Sequence, residues 1–278
     1  MQDNDLELFH YGVKGMKWGV RRTDAQLERA AKARDSSSGS SSSSKPIFRK
    51  GDKWAIYDDG SIELKKGAQI QRVARQHKGL MGGVGEDFGL KGATYASFTP
   101  EDNAAYEHGF GRSKGLLVKD ASKVLKFSAT KDLRSPAPKD AAKTYLDLLD
   151  KDPDLKSAVQ KGLGPMWNVD KAIKDPSGDR AYDLYSVAYD AGNYNSKFKD
   201  TNSKFNGALT KQGYNMLMDP TDSSSGFDAP VVILDGTGSM KLTASYTVDK
   251  VSQKKVRQVV KDHAKTYAGR SVIEKLGY

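Results

Sequence analysis

The chain has 278 residues, 37% hydrophobic and 29% charged, a balance that supports a packed core and excludes wholesale disorder. It has no cysteine and four scattered histidines, which rules out disulfides, thiolate zinc and a cysteine nucleophile and leaves no histidine spacing suited to a metal. Forty-five basic against 35 acidic residues give a net charge of +10, a balance that attracts polyanions without by itself reading a sequence.

No stretch approaches the roughly 20 apolar residues of a membrane span. Met1 to Glu7 is acidic and polar, where a secretory signal needs a basic segment followed by an apolar one. A soluble protein without Sec export is expected.

The first 34 residues read as a separate module. His10 to Arg22 contains three glycines, two aromatics and four basic residues, and Thr23 is placed to cap a short helix from Asp24 to Arg34. A segment this short builds no core of its own and needs a surface to dock on. Met16 and Trp18 are its apolar anchors, with Lys17, Arg21 and Arg22 around them. Residues 35–45 follow as a linker, because Ser36 to Ser44 reads SSSGSSSSS and offers almost nothing to bury.

Residues 46–248 read as one α+β domain, a mixed or antiparallel sheet with flanking helices. Trp54 to Tyr57 and Ile62 to Leu64 flank Asp58-Asp59-Gly60-Ser61, a hairpin signal. Ala68 to Arg75 is the next strand, with Ile70 and Arg72 on one face and Gln71 and Val73 on the other. A glycine-rich loop through Gly79, Gly82, Gly83, Gly85 and Gly89 leads to a strand at Ala93 to Phe98. Thr99-Pro100-Glu101-Asp102 starts a helix carrying Ala104, Ala105 and Tyr106, which Gly109 stops.

Further helices are expected over Lys139 to Leu149, Asp154 to Leu163, Asp179 to Tyr189 and Lys204 to Gln212. Strands are expected at Tyr214 to Met218, Val231 to Leu234 and Leu242 to Val248. Residues 249–278 are expected to form a basic C-terminal helix, with Val256, Val259, Val260, His263 and Tyr267 along one side. Its cations, Lys250, Lys254, Lys255, Arg257, Lys261 and Lys265, suit either solvent or nonspecific contact with DNA. The elements are mixed rather than strictly alternating, which favours α+β over a doubly wound sheet.

Tyr11-Gly12-Val13-Lys14-Gly15-Met16-Lys17-Trp18-Gly19-Val20-Arg21-Arg22 resembles a motif of tailed-phage and prophage head-module proteins. That resemblance implies head or other virion proteins as partners, with the virion or host cytoplasm as location. Four further landmarks resemble an ADP-ribosyltransferase-like layout in uncharacterised phage proteins. They are Lys66 to Val73, Thr94 to Thr99, Lys131 to Pro136, and Gly213 to Asp219 together with Pro230 to Leu234.

The second resemblance implies NAD as cofactor, Arg72 (or Arg75) as a clamp for its diphosphate, and Tyr95 and Ser97 on the second strand of the pocket. The plainer reading makes Arg72 a surface residue and Ser97 a small one facing solvent. Where the family carries a glutamate at the start of a later strand, this chain has Ala229 or Pro230, and Asp228 or Asp222 is the nearest carboxylate. The leading expectation is a phage virion protein with a degenerate transferase-like domain. The alternatives are an active NAD-dependent mono-ADP-ribosyltransferase acting on host proteins and a nonspecific DNA-binding protein.

Overall fold

The hairpin expected from Asp58 to Ser61 is present, with Trp54 opposite Leu64 and Ile56 opposite Ile62. Gly60, at φ +83°, supplies the left-handed residue its turn needs, and Asp59 accepts from the Ser61 amide and hydroxyl. The computed structural model describes residues 45–51, 53–75, 93–100, 102–103, 122–194, 196–220 and 229–248. The N-terminal module, the serine linker, the glycine-rich loop and the C-terminal basic segment lie outside the described residues.

The fold is α+β, built from small antiparallel sheets and helices. One sheet has the order β1 (Pro46–Gly51), β2 (Trp54–Tyr57), β3 (Ile62–Leu64) and β7 (Leu133–Arg134). A second has β6 (Ser122–Ala129) at its centre, between β4 (Gln69–Arg75) and β10 (Met240–Val248). The third sets β9 (Val231–Ile233) between β5 (Thr94–Ala96) and β8 (Met216–Met218). All of these pairings are antiparallel.

The helices fill the interval between β7 and β8: α1 (Pro138–Lys151), α2 (Pro153–Leu163), α3 (Val169–Lys174), α4 (Asp179–Tyr194) and α5 (Ser196–Lys211). Pro138 and Pro153 open α1 and α2 where a missing N–H costs nothing. Asp152 caps α2 through the Leu155 amide at 3.1 Å and pairs with Lys204 at 2.8 Å.

A short helix, α6 (Gly236–Ser239), leads into β10. Gly213, at φ +90°, turns the chain from α5 towards β8.

The core joins the sheets to an aromatic cluster on the helices. Tyr145 of α1, Tyr185 and Tyr189 of α4 and Phe205 of α5 are all at most 1% exposed. Phe205 meets each of the three tyrosines edge-on, with ring centroids 5.2–5.8 Å apart. Burial pushes the Tyr145 and Tyr185 hydroxyls far above the ordinary tyrosine range, so both stay neutral.

Several expectations need correction. α4 runs on to Tyr194 instead of ending at Tyr189, and α5 begins at Ser196 instead of Lys204. Strands β1 and β6 and helix α3 were not anticipated. β6 is the central strand of its sheet, and its Val124 and Leu125 are both fully buried although they point to opposite faces. Burial on both faces removes the polar–apolar alternation by which a strand is recognised.

Candidate functional site: the junction of two sheets

The residues singled out on β4 and β5 meet where two sheets join. Gln71 and Ser97 form an isolated antiparallel bridge, exchanging backbone hydrogen bonds of 2.7 and 2.8 Å. Residues directly opposite each other in such a pair project their side chains to the same face. The side chains confirm this, since both reach Asn103: Ser97 Oγ donates to Asn103 Oδ1 at 2.6 Å, and Gln71 Nε2 donates to the Asn103 carbonyl at 3.1 Å. Ser97 is 1% exposed, so its solvent-facing reading is incorrect.

Asn103 is held by the helical turn that Thr99 and Pro100 begin. Thr99 Oγ1 accepts from the Asp102 amide at 3.1 Å, and the Thr99 carbonyl accepts from the Asn103 amide at 3.0 Å. The expected cap is therefore present, and the helix past Asn103 lies outside the described residues. Asp102 is fully buried, and its Oδ2 accepts from the Ala229 amide at 3.0 Å. It fastens the start of β9 to this turn.

Tyr95 lies two residues from Ser97 and shares its face. The Tyr189 hydroxyl donates to Asn206 Oδ1 at 3.5 Å and has the Tyr95 hydroxyl as a further polar neighbour. Burial, followed by the buried Asp219 carboxylate, raises the Tyr189 pKa well above its ordinary value. A polar seam thus runs from Gln71 and Ser97 at the sheet junction past Tyr95 to α4.

Arg72 is turned the other way. It pairs with Leu125, and its neighbour on that face is Ile70, opposite Phe127. Ile70, Leu125 and Phe127 are buried and Arg72 is half-buried, so the guanidinium leaves from the apolar face of β4 and not from its surface. Tyr95 and Ser97 are brought together, and Arg72 is set on the opposite face from them. Arg75 closes β4 opposite Ser122. Asp222 and Asp228 lie outside the described residues, as do Met16, Lys17, Trp18, Arg21 and Arg22.

The start of β9 is closed. Ala229 is fully buried, Pro230 is buried, and the Pro230 carbonyl accepts from the Asp219 amide at 2.9 Å. Sequence reading missed Gln71, Asn103 and Asp102. Gln71 stood on the face opposite Arg72, but only the register with Ser97 shows which of those faces meets β5. Among the described residues, no three His, Asp or Glu side chains gather as a cation site. No helix among them is long and apolar enough to cross a membrane.

Residues 1–25 match a family described as a family of unknown function (DUF7211). No curated protein matches the chain. No solved structure matches it either.

Proposed function

We propose that this chain is a phage head- or virion-associated protein that docks through its N-terminal motif and carries an ADP-ribosyltransferase-like domain without transfer chemistry. The docking half is supported by the match over residues 1–25, which ends before the serine linker. A match that stops before the linker fits a short module separate from the domain behind it. Met16 and Trp18 are its anchors, and Lys17, Arg21 and Arg22 suit an acidic rim on a head protein.

The observation that carries the non-catalytic half is the start of β9. Transfer from NAD develops positive charge on the ribose, and a preorganised carboxylate facing that charge is the main source of stabilisation. Here the corresponding backbone is occupied by buried Ala229 and Pro230. Of the two described acids beside it, both buried, Asp102 is engaged with the Ala229 amide and Asp219 pairs through its backbone with Pro230. Arg72 leaves β4 on the face away from Tyr95 and Ser97, so a diphosphate clamp and the second-strand residues do not share one pocket wall.

The docking half is tested by capture from a phage lysate with the full chain. Head proteins are expected on the wild-type chain and lost with Trp18→Ala. Equal capture by both chains removes the docking role of the motif.

A further inference from the structure

The loop between α2 and α3 carries an apolar tip that the fold holds away from its own core. Met166 is 75% exposed, more than any other large hydrophobic side chain among the described residues, and Pro165 beside it is exposed as well. Trp167 is half-buried and packs on the core. The loop is fastened in this shape by one side chain of α2. Gln160 Nε2 donates to the Gly164 carbonyl at 3.2 Å and to the Trp167 carbonyl at 2.7 Å, and Gln160 Oε1 accepts from the Val169 amide at 3.0 Å. Gly164, at φ +77°, makes the turn, and Asn168 Oδ1 caps α3 through the Lys171 amide at 2.8 Å. The fold thus forgoes the gain of burying Met166 and keeps it in a fixed place.

A single exposed apolar side chain is ordinary, and the charge around this one sets it apart. Between residues 156 and 174 the lysines are Lys156, Lys161, Lys171 and Lys174, and Asp170 is the only acid. Lys156 pairs with that acid at 3.0 Å. Lys161, on one flank of the tip, and Lys171 and Lys174, on the other, are exposed and form no ion pair among the described residues. The rest of the segment from α1 to α5, residues 138–155 and 175–211, has eight basic and ten acidic residues. The positive charge of the helices is therefore gathered at the one place where they put forward an apolar tip.

We propose that the α2–α3 loop is a contact with an anionic lipid surface. Met166 and Pro165 enter the headgroup boundary, and Lys161, Lys171 and Lys174 meet lipid phosphates. Tip and cations select this partner together. A polyphosphate such as DNA satisfies the lysines but sets Met166 against a charged backbone. An apolar pocket on a protein receives Met166 without calling for cations on both flanks of the loop. An anionic bilayer lays negative charge directly over hydrocarbon, which matches cations standing behind an apolar tip. One methionine and three lysines give weak, reversible and salt-sensitive binding, well short of a permanent anchor.

The test is sedimentation of the full-length chain with phosphatidylcholine vesicles, with and without about one-third phosphatidylserine. Binding is expected with the anionic vesicles alone. Met166→Asp should weaken it about tenfold and Lys171→Glu several-fold, with the circular dichroism spectrum unchanged. Lys211→Glu, the same charge change at an exposed position of α5, should leave binding intact, as should Trp18→Ala in the N-terminal motif. The chain has no cysteine, so a polarity-sensitive dye can be placed at one chosen position. On Met166→Cys its emission should shift to the blue with anionic vesicles, and on Lys211→Cys it should not. Absence of vesicle binding overturns the proposal. So does equal binding by wild type and Met166→Asp, or a dye at position 166 that responds as strongly to a DNA duplex as to the vesicles.

Discussion

Gln71 and Ser97 exchange two backbone hydrogen bonds, at 2.7 and 2.8 Å, and this one pairing links the sheet around β6 to the sheet around β9. Both side chains then end on Asn103, so the junction is tied by side chains as well as backbone. Ser97→Ala removes the 2.6 Å bond and leaves the half-buried Asn103 side-chain oxygen without it. We expect a loss of about 1–2 kcal/mol in urea unfolding. An unchanged midpoint would show that the junction does not depend on this contact.

The aromatic cluster makes a prediction of opposite sign. The Tyr145 hydroxyl is buried and has no hydrogen-bond partner among the described residues, while its ring packs on Tyr185 and Phe205. Tyr145→Phe keeps the ring and removes the desolvated polar group, so stability should be unchanged or up to about 1 kcal/mol higher. Tyr145→Ala removes the ring and should cost about 3–5 kcal/mol. Thermal unfolding of the two variants separates the contributions of ring and hydroxyl.

Two glycines in and beside α5 should respond in opposite directions to the same substitution. At Gly213, with φ +90°, a Cβ meets nothing within 4 Å, so Gly213→Ala carries only the backbone penalty, about 1–2 kcal/mol. Gly207 lies within α5 and also has open space around it, so Gly207→Ala should stabilise by about 0.5–1 kcal/mol. Denaturant midpoints that move the same way in both variants would contradict this assignment.

Glu63 predicts an acid-range effect. Its carboxyl is held below its ordinary range, first by the Lys65 ammonium at 2.7 Å, then by the Tyr57 hydroxyl at 2.9 Å and the Arg134 guanidinium at 3.3 Å. A carboxyl whose folded-state pKa is depressed binds more protons when unfolded. Its stabilisation is therefore complete above the unfolded value of about 4.3 and lost as pH falls through the folded value. Glu63→Gln should thus be slightly less stable than wild type at neutral pH, with the difference vanishing in acid. A difference that persists below that range would point to packing rather than charge.

What the sequence revealed depended on how local each signal was. The β2–β3 hairpin and the Thr99 cap were legible because Asp58 to Ser61 and Thr99-Pro100 carry their geometry within four residues. β6 was not legible, since burial on both faces erases alternation in Val124-Leu125. α4 continues past its expected end through Gly192, where α5 approaches closely and a Cβ would strike the Asn202 side chain. The candidate site was half legible. Alternation along β4 separates Gln71 from Arg72, but only the pairing with Ser97 decides which of them faces β5.

The proposed lack of transfer chemistry is tested most directly by calorimetric titration of NAD into the full-length chain, with Arg72→Ala alongside and label transfer from NAD to host lysate as a second readout. No saturable binding at millimolar NAD and no labelled protein are expected. Saturable binding lost in Arg72→Ala, together with labelling that Asp228→Asn or Asp222→Asn abolishes, would contradict it and establish an active transferase.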